Sequence, residues 1–263
     1  MKNIFKMVSL LVLVLFSFFY TDRVMNFINK KDPLMNKIDL LKDKYEVLPV
    51  NAVLDSNTII PGVKGKSVDL DKSYENMKVS GIFREDYLVY NDILPSEMLS
   101  NNMDKYIMGG NTSSNRVSLL VITNYDNIDK INNNNITIFL NHKDVSINNI
   151  KKINKNSIYT YGNNGIYSEE ILDNDNTIIN RISKNKSIYC LSMEKNNDTL
   201  SICNKKKMYV VIPSIVGDYL DIKNNLTNGS IILLNDMNNL DIIVKYINSK
   251  GYMIVPLEEL LTE

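Results

Sequence analysis

The sequence predicts an α/β protein: a distorted (β/α) barrel of about seven units, preceded by a small α+β module and an N-terminal transmembrane helix. Two observations carry that prediction. From Val117 onward, short apolar runs rich in β-branched residues alternate with polar or amphipathic stretches, the texture of parallel strands linked by crossover helices. At the other end, an uncharged run from Met7 to Tyr20 sits between Lys2 and Lys6 on one side and Asp22 and Arg23 on the other. A doubly wound open sheet fits the same alternation, because periodicity does not show whether a sheet closes.

The elements follow in chain order. Residues 1–21 read as a cytoplasmic tip and a signal anchor. Counted from Ile4, about 17 residues rising 1.5 Å each span roughly 25 Å, enough for a short membrane helix. The run closes on Phe18, Phe19 and Tyr20, aromatic residues that suit a membrane interface better than a signal-peptidase site. The leading lysines place the N-terminus in the cytoplasm and the rest outside it. Residues 22–44 form a charged, mostly helical stalk that Pro33 interrupts. Residues 45–115 make the small α+β module. It holds extended pieces such as NTIIPGV and REDYLVYNDILP, and a helix over DLDKSYENMK capped by Asp71 or Ser73 and stopped by Gly81.

Residues 116–263 carry the repeating units. The apolar runs are VSLLVIT (117–123), ITIFL (136–140), SIYTY (157–161), SIYCLS (187–192), MYVVIPS (208–214), SIILL (230–234) and YMIVP (252–256). About 147 residues for seven units makes each unit short, which favours a compact barrel.

Composition excludes several classes. The 30 basic and 30 acidic side chains cancel, so there is no electrostatic footprint for nucleic acid. Cys190 and Cys203 are the only cysteines, too few for a thiolate zinc site or a disulfide framework. They can pair in an oxidising compartment, but spacing alone does not show that they do. His142 is the single histidine, so no site here has two imidazole ligands. The 39 asparagines against one alanine, and the excess of Lys over Arg, follow AT-rich codons. Runs such as Asn132 to Asn135 therefore read as loop filler.

The last stretch, NGSIILLNDMNNLDIIVKYINSKGYMIVPLEELL, resembles the C-terminal signature of polysaccharide deacetylases of the NodB-homology family. Gly229, Ser230, Ile231, Leu233, Leu234 and Asp236 match it, as do Lys250, Gly251, Tyr252 and Leu257. The resemblance covers about residues 117–263 and implies that family's distorted (β/α) barrel. It also implies a divalent metal held by one Asp and two His, with a second Asp as base and another His as acid.

The departures from the family pattern matter more than the match. The family's Thr-Phe-Asp-Asp-Gly turn is here Ile122-Thr123-Asn124-Tyr125-Asp126-Asn127. Its His-Ser/Thr-x-x-His run is here Tyr159-Thr160-Tyr161-Gly162-Asn163-Asn164, and its acid histidine is Asn235. The family's arginine-proline motif has no counterpart around Ser192-Met193-Glu194. An amide has no titrating proton near neutrality and cannot replace a general acid. Asn124, Tyr125 and Asn235 are thus eroded catalytic positions, with Asp126 and Asp236 the carboxylates beside them. His142 follows the second strand, outside any family motif, and reads as a rim histidine.

The resulting expectation is a membrane-anchored, extracytoplasmic, deacetylase-like protein without catalytic activity, metal or cofactor. It would bind a cell-wall glycan or an envelope protein through the old groove, with Tyr125, Tyr161 and Asn163 as contact residues and Tyr167 as a further stacking surface. The alternative is an active carbohydrate hydrolase, a deacetylase or glycosidase, using carboxylates drawn from Asp126, Glu194, Asp218 and Asp236. Each of those four also reads as a helix cap or solvated charge. A third reading assigns partner docking to the 45–115 module.

Overall fold

A computed structural model describes residues 2–29, 31–123, 131, 133–152, 156–183 and 186–263. Its first elements are α1 (Lys2–Asn29), α2 (Pro33–Leu41), β1 (Val53–Leu54), β2 (Thr58–Ile60), β3 (Gly65–Val68), α3 (Leu70–Met77), β4 (Tyr90–Ile93) and β5 (Tyr106–Ile107). The remainder runs β6 (Arg116–Thr123), β7 (Thr137–Leu140), α4 (Ile147–Lys152), β8 (Ser157–Thr160), α5 (Glu169–Ile182), β9 (Tyr189–Leu191) and α6 (Asn197–Lys205). It ends β10 (Tyr209–Val211), β11 (Ile215–Gly217), α7 (Tyr219–Asn225), β12 (Ile231–Leu234), α8 (Leu240–Ser249), β13 (Met253–Ile254) and α9 (Leu257–Leu260). These elements gather into two compact units, one of residues 1–49 and 64–93, the other of residues 50–63 and 94–263.

The smaller unit holds α1 to α3 and the antiparallel pair β3–β4. Pro33 opens α2 rather than breaking a helix, because a first-turn residue needs no N–H partner. Asp32 caps it, accepting from the Leu34 amide at 2.7 Å, and its other oxygen accepts from the Tyr74 hydroxyl at 3.0 Å. Leu34, Met35 and Ile38 of α2 pack with Tyr74 and Met77 of α3 and with Val68 and Leu88. The cap of α3 is Asp69, accepting from the Lys72 amide, and not Asp71 or Ser73. Ser73 lies inside the turn instead, buried and bonded to the backbone of Val89.

α1 departs from expectation in two respects. It continues through Asn29, into the segment read as stalk. The transmembrane span is not shown: among the described residues no helix is long and apolar enough to cross a membrane. Side chains of α1 are described without interruption only from Leu10 to Thr21, short of the roughly 20 apolar residues a span needs. The apolar side chains within that stretch, from Leu10 to Tyr20, are all exposed.

The larger unit is built around β6. It pairs in parallel with β7, β12 and β13, and the sheet runs β11-β12-β6-β7-β8. A second sheet runs β1-β2-β5-β10-β9, parallel except at β1. In chain order β6 to β12 follow one another as barrel strands, but no ladder joins β8 to β9 or β10 to β11 among the described residues. The barrel is therefore distorted, with two seams.

Alternation along each strand explains why both faces are apolar. Leu120, Phe139, Tyr159, Tyr189, Val211, Ile231 and Leu233 pack together on the inner face with Leu257, Leu260 and Leu261 of the C-terminal segment. Val121, Ile138, Leu140, Ile158, Ile232 and Leu234 face the helices, meeting Ile150, Ile179, Ile222, Ile243 and Ile247. The C-terminal segment is pinned by polar contacts as well. Glu258 accepts from the hydroxyls of Ser157 and Tyr159, and the Leu257 amide donates to Thr137 Oγ1 at 2.9 Å. Burial, together with the Glu258 charge, holds the Tyr159 phenol far above its usual range, so it stays a neutral donor. Glu263 accepts from the amides of Gly62 at 3.0 Å and Leu99 at 2.7 Å.

Side chains close the β8–β9 seam. The Tyr159 and Tyr189 rings meet edge to face at 5.3 Å between centroids, continuing a stack from Phe139 to Tyr209. Tyr167, expected to be an exposed stacking surface, is buried instead. Its hydroxyl donates to the Leu191 carbonyl at 2.9 Å and accepts from the Leu191 amide at 3.0 Å. It thus supplies the partner that a neighbouring strand would have given β9. Replacing Tyr167 with Phe leaves both backbone groups unpaired, and urea unfolding is expected to show a loss of about 1–3 kcal/mol.

Cys190 of β9 and Cys203 of α6 form a disulfide, fully buried beside Tyr106, Met208 and Val210. It closes a loop with a sequence separation of 13. The double variant Cys190→Ser/Cys203→Ser is expected to unfold with about 2–4 kcal/mol less stability, from the lost constraint on the unfolded chain.

Candidate functional site

At the C-terminal ends of β6, β7 and β12 lies an open groove of about 430 Å³. Ligand sites of parallel sheets and barrels collect at that end, because the loops after the strands converge there. Val121, Ile122 and Thr123 of β6 form its floor, with Leu234 of β12 and Met237 beyond it. Asn141 and Lys143, just after β7, make one wall; Asn235, Asp236 and Asn238, after β12, make the other.

Local hydrogen bonds fix these walls. The Asn235 amide donates to the Gly217 carbonyl at 3.2 Å, continuing the β11–β12 pairing past the strand end. Asp236 Oδ1 accepts from the Asn238 amide at 2.8 Å, an Asx-type turn that holds the carboxylate at the rim. Asn141 Oδ1 accepts from the Asn164 amide at 3.1 Å, tying the β7 end to the β8–α5 loop. That loop turns on Gly162, Asn164 and Gly165, with φ of 61°, 52° and 85°. At Gly162 a Cβ would stand 2.5 Å from the Ile166 carbonyl oxygen, so no side chain fits.

The residues singled out from sequence fall in different places. Asn235 and Asp236 line the groove. Asn124, Tyr125 and Asp126 lie outside the described residues. Tyr161 and Asn163 sit on the β8–α5 loop and not on the groove wall. Asn163 is exposed, while Tyr161 is partly buried against the inner core, which raises its phenol. Asp218 caps α7 in a capping box with Asp221. Glu194 is exposed in the loop after β9, where its backbone carbonyl accepts from Ser192 Oγ. Of the described carboxylates proposed for a hydrolase, only Asp236 reaches the groove.

His142 stands at the rim, partly exposed, and its Nδ1 meets Asp175 Oδ1 at 2.7 Å. Asp175 is buried on α5 and its second oxygen accepts from Thr160 Oγ1. Thr160 Oγ1 in turn accepts from the Gly162 amide at 2.9 Å, and the His142 amide donates to the Gly162 carbonyl at 2.7 Å. The network satisfies a buried carboxylate and sets the path of the β8–α5 loop. Sequence reasoning missed Asp175, although it lies on the apolar stripe of α5 between Leu172 and Ile179. A charge on the buried face of a helix is the signal that finds such a residue. Lys143 was also missed, hidden beside His142.

The resemblance to polysaccharide deacetylases implies a divalent metal. The groove offers a hydroxyl, three amides and one carboxylate, with no imidazole or thiolate. Among the described residues no group of three His, Cys, Asp or Glu side chains converges anywhere. A tight transition-metal site needs such ligands, so the described residues do not fit the metal.

The chain shares its fold with solved structures of the CE4 family of polysaccharide deacetylases. The wild-type structure of BA3943, a CE4 family pseudoenzyme from Bacillus anthracis, superposes with a TM-score of 0.64 at 20% identity, over 89% of this chain and 96% of that one. The chitin deacetylase of Colletotrichum lindemuthianum is similar at a TM-score of 0.50 and 13% identity, over 60% of this chain and 92% of that one. In sequence, the uncharacterized protein YlxY of Bacillus subtilis is 38% identical over 92 residues, which are 35% of this chain. The match spans only 29% of YlxY's length. No family model matches the chain.

Calorimetric titration with Zn²⁺ is expected to give the same signal for the native protein and for Asp236→Asn. Uptake by the native protein that the variant loses would show that the groove holds a metal after all.

Proposed function

We propose that this chain is a deacetylase-like protein that has lost catalysis and binds a cell-wall glycan through the groove at the strand ends, on the outer side of a membrane to which α1 anchors it. One observation supports the reading: the groove lies at the strand ends, and its described walls hold amides and a single carboxylate. Deacetylation needs a metal-bound water, a base and an acid. One unassisted carboxylate supplies none of these as a set, and Asn235 has no proton to give. Asparagine amides and a threonine hydroxyl over an apolar floor suit sugar hydroxyls and ring C–H faces without chemistry. The BA3943 fold belongs to a protein described as a pseudoenzyme, a precedent for this fold without activity.

Two features support the location. The apolar side chains described between Met7 and Tyr20 are exposed, and a bilayer is the environment that would cover them. The Cys190–Cys203 disulfide belongs to an oxidising compartment.

The test measures acetate release by the full chain from acetylated cell-wall glycan and chitooligosaccharide, with and without added zinc or cobalt, beside a pull-down on the same glycans. No release above blank together with retention on glycan is expected. Metal-dependent release that Asp236→Asn abolishes would overturn the reading.

A further inference from the structure

The groove carries two opposite charges, and neither is neutralised by another described residue. Asp236 stands after β12 and Lys143 after β7, with β6 between them in the sheet. Asp236 accepts only from the Asn238 amide, and neither charge forms an ion pair among the described residues. Adjacent strands lie about 4.8 Å apart, so two strand spacings set the walls roughly 10 Å from each other. That is about the reach of two linked pyranose rings.

We infer that the groove selects a saccharide bearing a free amine on one ring and a carboxylate on the next, the amine pairing with Asp236 and the carboxylate with Lys143. This deepens the glycan-binding reading and rests on it. A fully N-acetylated neutral sugar would cover both charges and return only neutral hydrogen bonds, leaving desolvation uncompensated. An ammonium gives Asp236 a charge-assisted bond, and a carboxylate gives Lys143 the same. Between the charges, the amides of Asn141 and Asn235 face the ring hydroxyls, and Leu234 and Met237 lie beneath the ring faces. The ligand is therefore the product of a deacetylase and not its substrate. The supplying reaction is hydrolysis of an acetamide: water adds to the carbonyl, the C–N bond breaks, and acetate leaves the sugar as an amine that takes up a proton. The protein would thus read where a glycan has already been deacetylated.

The experiment measures equilibrium binding of three β-1,4-linked disaccharides to the full chain. The first is glucosaminyl-N-acetylmuramic acid, with a free amine and a carboxylate. The second is its N-acetylated form, with the carboxylate alone. The third is neutral N,N′-diacetylchitobiose. The first is expected to bind about five-fold more tightly than the second, the upper range for a solvent-exposed ion pair. Asp236→Asn is expected to erase that preference. Lys143→Gln is expected to weaken the first and second by a similar factor, leaving their ratio unchanged. Unaltered thermal unfolding of both variants, which replace exposed side chains, excludes misfolding as the cause. Equal binding of all three sugars, or a preference that survives Asp236→Asn, overturns the inference and leaves glycan binding standing. Binding of none of them overturns both.

Discussion

Parallel strands buried on both faces leave the chain no solvent with which to satisfy its backbone. Every amide of β6 to β12 has to find a partner inside the protein, and that requirement shapes the larger unit. Where ladders run, they meet it. Where the barrel parts between β8 and β9, the phenol of Tyr167 takes both backbone groups of Leu191, and the Tyr159 and Tyr189 rings fill the space beside them. The distortion of the barrel and the burial of its tyrosines are two sides of one constraint. The tyrosines that looked like sugar platforms in the sequence are in part the material that closes the wall.

The same architecture explains how a site can change its chemistry while the fold persists. The polar residues of the groove walls stand on loops just beyond the strand ends, so their side chains contribute little to the two-sided core. Asn235 keeps the backbone bond to Gly217 whatever its side chain is. Asp236 has a structural task in its turn at Asn238, which accounts for a carboxylate where the metal ligands are missing. The described residues of the groove present amides, a hydroxyl and two charges without an ion pair among them.

Much of this was legible in the sequence, for reasons that differ by element. The strands β6, β7, β8 and β12 announce themselves because burial on both faces demands unbroken apolar runs. β11 was missed: the apolar run that holds β10 was read as ending at 214, and the three-residue strand Ile215–Gly217 directly follows it. β5 is only Tyr106–Ile107, and its strand identity comes from pairing with β10 and β2, partners remote in sequence. The run at 252–256 gave a strand of two residues that pairs in parallel with the start of β6, not a full barrel stave. At the site, the loss of imidazoles was a matter of counting. The Asp175 network and the position of Lys143 depend on which loops meet, and spacing does not encode that.

The pairing of β6 with both β12 and β13 also bears on the order of events during synthesis. Strand β6 begins at Arg116, yet two of its three neighbours come from residues 231–234 and 253–254. A chain emerging N-terminus first holds that strand with one side of its ladder empty until β12 has been made. The disulfide follows an earlier schedule, since its thiols are 13 positions apart and can meet before β10 to β13 have been made. The nascent chain would therefore be locally cross-linked well before it is globally closed, and its unpaired β6 would need shielding through that interval.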